Sequence, residues 1–417
     1  MTDAAPRTVV GAGIVHSTVA AWAGFVLVHA WLVGLCLYGP GSGMNDVSIV
    51  YRQWTEQAVN AGIVVGIDVA WVYPILAIVP MVIAALLGPA NYVVAWLGLV
   101  TVLNAGAFAF LAKRNRIPAA WWWLAFLLLL GPITLARIDA VTVSLGIIGV
   151  LLLATRPRVA GIVLAVATWV KVWPAVLIAA GLVTLRGRWR ILFSGALVSG
   201  AIVTVALLLG SGARLFSFIT EQTGRGLQIE APVTTFWMWA AFAGQPGAAV
   251  YFDSQIITYQ MKGAGVDVAA SLMTPLLVVV VAVVVLLGVR AMRARAPAAE
   301  VLPSLSLALV VALIAFNKVG SPQFIGWIAV PIVLGLATSL GSPDAAAFRT
   351  PAILALAIGV LTQLLYPYLY DYLVMLHPAM LVALSLRNLL EFVLLGWAIR
   401  SLVMATRFRR RVSLSRS

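Results

Sequence analysis

The sequence predicts an all-α, polytopic membrane protein of about twelve transmembrane helices, with a large first extracytoplasmic loop that carries interfacial helices. Three observations point there. The residues are 63% hydrophobic and only 10% charged, with a mean hydropathy of +1.06; a soluble domain has about 25% charged residues, so this chain cannot cover a water-facing surface. Apolar runs recur along it, many of the roughly 17–25 residues that cross a bilayer as a helix. Basic clusters between the runs orient them, because Lys and Arg collect in cytoplasmic loops. The same bias explains the net charge of +14 without nucleic acid, since the basic residues form no stripe interleaved with aromatics. A lone cysteine, Cys36, excludes an intrachain disulfide.

The first run, 17–38, follows Arg7. It is too long for a signal-peptide core and has no cleavage site, so it reads as a retained span. Residues 39–91 form the first outer segment, where "YGPGSGMNDVSIVYRQW" ends that span in a Gly/Pro/Ser turn and starts a helix over 47–60. The stretch 72–88 is long enough to cross. A crossing, however, puts "KRNR" (113–116) outside or breaks the later alternation, and Pro74, Pro80 and Gly88-Pro89 mark an interfacial or re-entrant helix instead. Spans follow at 92–112, 118–136, 140–155, 159–173, 174–186 and 191–210, with "RPR" (156–158) and "RGRWR" (186–190) at the cytoplasmic face. A second outer segment covers 211–269. The last spans are 270–290, 301–317, 323–341, 350–367 and 388–406, with "RAMRAR" (290–295) and "RFRRR" (407–411) inside and the tyrosine-rich 368–387 outside. Residues 1–417 then form one domain of a multi-pass plasma-membrane protein with both termini cytoplasmic. The basic tail 407–417 needs only anionic membrane lipid to explain it.

Of eight Lys/Arg on the outer side, four stand at or beside the ends of apolar runs: Arg137 in "LARIDA", Lys171 in "TWVKVWP", Lys318 in "FNKVGSPQFIGW" and Arg387 in "SLRNLLEF". Any one alone reads as a side chain snorkelling from a helix end. Four on one face suit a lipid phosphate, which Arg grips with a fork and Lys with a point charge. Pro174 and Pro322 stop the adjoining helices and fix where Lys171 and Lys318 point. Glu391, one turn from Arg387, is its charge partner. Asp46 either caps the helix over 47–60 or stands as a carboxylate able to take a proton from a hydroxyl; the two roles are compatible, and the sequence does not separate them.

In "TGRGLQIEAPVTTFWMW" (223–239), Arg225, Gln228 and Glu230 beside Trp237 and Trp239 suit sugar recognition, although an interfacial aromatic belt also accounts for the indoles. The tyrosines of "YPYLYDYLVMLHP" (366–378) read as interfacial anchors, with Asp371 and His377 placed to touch an acceptor. Tyr51, Tyr73, Asp139, Asn317 and Gln323 complete the candidate substrate-binding set. No metal or other cofactor is expected: no outer loop has a tight Asp-x-Asp pair, and His16, His29 and His377 are too scattered for a ligand set.

The order of these motifs, from the early Asp46 before "VYRQW" through "WVYP" (71–74), "RID", "VKVWP" and "NKVGSPQF", resembles the polyprenol-phosphate-dependent glycosyltransferases of the GT-C class. More narrowly it resembles the actinobacterial glycosyltransferase family 87, which includes mannosyltransferases of phosphatidylinositol mannoside and lipomannan synthesis. The resemblance covers roughly 15–400. It implies that Asp46, the aspartate of the first outer loop, is the catalytic base. It also implies a polyprenyl-phosphate sugar donor, most simply mannose, and inverting transfer to a lipid-linked glycan on the extracytoplasmic face. One departure, Arg137-Ile138-Asp139-Ala140 where many members have Gly-Gln-x-Asn, bears on the sugar or acceptor rather than on the reaction. An arabinofuranosyltransferase of the same architecture is the near alternative. A lipid or sugar transporter is the competing class, but it would normally have internal repeats and mid-membrane polar breaks, and the sequence displays neither.

Overall fold

The computed structural model describes residues 17–41, 43–113, 116–339 and 348–414. Arg7, His16, Arg114, Asn115 and residues 415–417, named above, lie outside them. Every apolar run expected to span becomes a helix. The chain runs α1 (Thr18–Tyr38), α2 (Arg52–Ala61), α3 (Ile78–Ala85), α4 (Tyr92–Leu111), α5 (Ile117–Leu130), α6 (Asp139–Leu152), α7 (Pro157–Val170), α8 (Ala175–Thr184) and α9 (Arg188–Leu208). It continues through α10 (Ser217–Thr223), α11 (Thr235–Phe242), a hairpin of β1 (Ala249–Asp253) and β2 (Thr258–Lys262), α12 (Val266–Arg293), α13 (Ala298–Ala315), α14 (Ala329–Ser339), α15 (Arg349–Gln363), α16 (Tyr370–Val374) and α17 (Pro378–Leu414).

Eight helices among the described residues are long and apolar enough to cross a membrane: α1, α4, α5, α9, α12, α13, α15 and α17, some with their adjoining turns. The other four expected spans, around α6, α7, α8 and α14, are apolar but only 10–17 residues long. At 1.5 Å per residue these fall short of a hydrocarbon core about 30 Å thick. Ile75–Ala85 is another short helix, in keeping with a stretch that does not cross.

Between membrane helices, lipid is as apolar as leucine, so close packing rather than water exclusion selects the contacts. Small residues supply the closeness. A Cβ on Gly161 of α7 would sit 2.5 Å from the carbonyl oxygen of Ile191 in α9, and one on Gly288 of α12 would meet Leu305 of α13 at 2.7 Å. The middle of the bundle is α13, buried along almost its whole length and packed on α8, α12, α14 and α17. One buried polar chain joins three helices: Ser144 of α6 donates to Asn104 of α4 (2.5 Å), and Asn104 meets His29 of α1 (3.1 Å).

The hairpin is an addition to the all-α expectation. "AVYFD" is rich in β-branched and aromatic residues, "TYQMK" alternates polar and apolar residues, and they pair antiparallel with Tyr251 opposite Gln260. Residues 227–229 run alongside: the N–H of Met261 donates to Leu227 (2.9 Å) and that of Ile229 to Tyr259 (3.2 Å). From this ribbon the N–H of Gln228 reaches the carbonyl of Lys318 (3.0 Å), which ties the second long outer segment to the loop after α13.

Candidate active site

The four short helices end together. Asp139 is the first residue of α6, Lys171 directly follows α7, Pro174 precedes α8, and the loop 316–321 leads through a 3₁₀ turn (Pro322–Ile328) into α14. Helix ends carry partial charge, positive at the N-terminus and negative at the C-terminus. Asp139 and Lys171 stand at the ends that favour them. They meet there, with the Lys171 ammonium 2.7 and 2.8 Å from the two carboxylate oxygens. Trp327 donates its indole N–H to the same carboxylate at 2.6 Å. Around the ammonium, Tyr73, Phe324 and Trp327 present ring centroids at 5.7, 4.8 and 5.6 Å, a cation–π box.

This corner opens into a cavity of about 400 Å³, lined at its polar end by Tyr73, Lys171, Asn317 and Lys318 and along its flank by Ile219, Leu277 and Leu313. Asn317 shapes the loop by accepting the N–H of Val319 (3.0 Å). Lys318 is buried, at 6% exposure. Burial, and then the positive charge of Arg225, lower its pKa below the ordinary lysine value. Arg225 is lowered by burial, against the pull of Tyr73, Glu221 and Asp253, and its Nε has no hydrogen-bond partner among the described residues. The Tyr73 hydroxyl is raised by burial and by the charges of Asp46 and Asp139; Asp139 reaches the polar end of the cavity through Lys171, and the turn that begins at Asp46 reaches it through the rings of Tyr51, Trp54 and Tyr73. Gln323 sits behind it, in a small recess that it shares with Asn104 and Asp139.

Asp46 does not cap a helix. It begins a π-helical turn (Asp46–Tyr51) after Asn45, and that end has no side-chain cap. Its Oδ2 lies 3.0 Å from Nε of Arg137, with 34% of the Asp46 side chain exposed against 6% for the arginine. Arg137 is otherwise committed: it donates to the carbonyls of Gly43 (2.5 Å) and Ala136 (2.8 Å) and to the Tyr366 hydroxyl (2.6 Å). Tyr51 holds the next turn by accepting the N–H of Ile138 (3.2 Å).

A second chain of contacts continues from Tyr366. Its ring stands edge-on to Tyr370, and Tyr370 donates to Glu230 at 2.6 Å. Burial raises the pKa of Glu230, with Tyr370 and Arg387 opposing. Arg387 donates to the Glu230 carbonyl and to Asn388, and its Nε lies 3.4 Å from Glu391. Arg387 therefore faces the packing between α17 and the Glu230 loop, and it does not line the cavity. Trp237 is placed elsewhere again, donating to the Ala264 carbonyl (2.9 Å) at the base of the hairpin.

The sequence reading took Tyr366 and Tyr370 as interfacial anchors, yet their hydroxyls bind Arg137 and Glu230. No local pattern shows this, because the helix breaks between them: Tyr366 has extended backbone (φ −136°, ψ 129°) before Pro367, and a new helix starts at Tyr370. Phe324 and Trp327 were missed as well, although both follow Pro322 in the singled-out stretch.

The sequence model of glycosyltransferase family 87 matches residues 71–322, more than half of the chain. The chain belongs to glycosyltransferase family 87. The matched stretch contains Tyr73, Arg137, Asp139, Lys171, Arg225, Glu230, Asn317 and Lys318, so this cavity is built almost wholly from the part that defines the family; Asp46 precedes it. No curated protein sequence matches the chain. Among solved structures, the apo crystal structure of ArnT from Cupriavidus metallidurans aligns with 14% identity and a TM-score of 0.46, over 94% of this chain and 78% of that one.

Proposed function

We propose that this family 87 member is an inverting glycosyltransferase that moves mannose from a polyprenyl-phosphate donor to a hydroxyl of a lipid-linked glycan on the extracytoplasmic face. The observation that supports the reading is a cavity with two lysines at its polar end and an apolar flank, joined through Tyr73, Trp54 and Tyr51 to the turn that begins at the part-exposed carboxylate of Asp46.

The donor phosphate lies between Lys171 and Lys318, with Arg225 beside them, and the prenyl chain runs along Ile219, Leu277 and Leu313. Lys171 keeps donor capacity for a phosphate oxygen, since an ammonium has three N–H groups. Asp46 takes the proton of the acceptor hydroxyl. The acceptor oxygen bonds the anomeric carbon as the bond from that carbon to the phosphate oxygen breaks, and polyprenyl phosphate leaves with the electron pair. The lysines stabilise the charge that grows on it. Arg137 holds Asp46, and Arg387 holds the Glu230 loop; both act by positioning rather than on the phosphate.

The test is transfer by purified protein in nanodiscs, supplied with polyprenyl-phosphate mannose and a membrane-extracted glycolipid acceptor. Wild type should consume the donor and Asp46→Asn should lose about 10²–10⁴-fold in rate, the range of general-base catalysis. An Asp46→Asn variant with full activity would refute the role of the carboxylate. Consumption of a pentofuranosyl donor in place of the hexosyl one would refute mannose.

A further inference from the structure

The opposite end of the bundle has a second cavity that the transfer reaction does not use. Here α6 and α8 end, α7 begins and α12 ends, around a space of about 670 Å³ lined by Leu153, Leu185, Arg186, Met292, Arg295 and Ala298 among others. It lies roughly 20 Å from Lys171, the length of the fourteen-residue α7 at 1.5 Å per residue. The loops "RPR", "RGRWR" and "RAMRAR" all converge on it, and a smaller recess between Arg156, Arg158 and Arg190 adjoins at Pro157. Among the described residues no carboxylate comes within 4.0 Å of any of these arginines. Such a cluster makes a positive field that an anion would neutralise.

Arg295 adds an independent observation. Its φ is +59°, at the turn that closes α12: its N–H donates to Met292 (2.9 Å) and that of Ala296 to Ala291 (3.1 Å). Glycine is the usual residue in that left-handed position, because a Cβ is crowded there. An arginine at this point bears a strain that glycine would avoid, and it lines the cavity together with Arg186.

We propose that this cavity binds the phosphate headgroup of an anionic membrane phospholipid. Arg186 and Arg295 grip the phosphate, and Leu153, Leu185 and Met292 pack on the glycerol and the first acyl carbons. Arginine forks match phosphate oxygens in pairs, and basic pockets between membrane helices are a known setting for lipid headgroups. The apolar part of the wall favours a lipid over a small free anion.

Thermal unfolding of the full chain in dodecyl maltoside tests this, with added phosphatidylglycerol, phosphatidylcholine or inorganic phosphate. Phosphatidylglycerol should raise Tm by several degrees more than phosphatidylcholine, and millimolar inorganic phosphate should not reproduce the shift. The double variant Arg186→Gln, Arg295→Gly should abolish the difference between the two lipids. Arg295→Gly alone relieves the backbone, so its lipid-free Tm should hold or rise, and a lost lipid response cannot be ascribed to misfolding. Arg293→Gln, an exposed neighbour that is not among the lining residues, should keep the response. Equal shifts from both lipids, a double variant that still discriminates, or a full shift from inorganic phosphate would each overturn the assignment.

Discussion

Arg137 holds Asp46 through Nε while three of its other four N–H groups donate to Gly43, Ala136 and Tyr366. The arginine is buried and the aspartate part-exposed, so the pair presents a carboxylate outward from a fixed mount. Charge-assisted contacts of this kind orient a group as well as attract it.

The variant Arg137→Gln should accordingly lower kcat by one to two orders of magnitude and leave the donor KM nearly unchanged. A loss of an interaction made only in the transition state has that signature, whereas loss of uniform binding raises KM alone. Steady-state kinetics over a range of donor concentrations decides it. A raised KM with intact kcat would return Arg137 to the phosphate.

Lys318 gives a prediction in pH. Burial and Arg225 hold its pKa below 10.5, so as pH rises it loses its proton before an ordinary lysine does. The donor KM should then climb on the alkaline limb, and Lys318→Arg, which keeps its charge, should flatten that limb. Stability moves the other way. Because the folded pKa lies below the unfolded one, the unfolded chain binds more protons between the two values, and this group's contribution to stability rises with pH there. Rising KM with no parallel fall in Tm would therefore identify titration of the site rather than unfolding.

The membrane class and the helical runs were legible because composition and run length are local properties of the chain. Lys171 and Lys318 were legible for the same reason: a lysine at the end of an apolar run breaks a local rule. Their surroundings were not. Arg137 and Arg387 break the rule in the same way, yet they donate to Gly43, Tyr366 and the Glu230 loop, partners that only the tertiary fold brings near. Asp139 and Lys171 each stood out, but nothing local pairs one with the other. Of the hairpin, only "TYQMK" alternates in the sequence, and five-residue strands are too short to stand out beside long helices.

Gly320 tests how the Lys318 loop is seated. A Cβ there would lie 2.2 Å from the backbone nitrogen of Ala231 and 2.4 Å from its Cα, and backbone cannot rotate away as a side chain can. Gly320→Ala should force the Lys318 loop off the Glu230 loop and raise the donor KM at least several-fold. The Tm should fall with it, since Gly320 and Ala231 are both buried where the loops meet, so the KM is read well below the variant's Tm. Unchanged KM would mean that the loop seat does not set the position of Lys318.

Arg387 and Glu391 form the most deeply buried ion pair among the described residues. Their side chains are 2% and 0% exposed, so no water would solvate a charge left alone. At 3.4 Å the contact is an ion pair rather than a hydrogen bond, and neither Glu391 oxygen has a hydrogen-bond partner among the described residues. Removing one partner of a buried pair costs about 3–5 kcal/mol, whereas replacing both with well-packed apolar groups is often neutral or stabilising. Arg387→Leu should lower Tm steeply, and the Arg387→Leu, Glu391→Leu double variant should recover much of the loss. The carbonyl of Glu230 would still lack its arginine in both, so transfer activity should stay depressed in the double variant even where Tm recovers. That separation of stability from activity distinguishes a positioning residue from a packing one, and full recovery of both would assign Arg387 to packing alone.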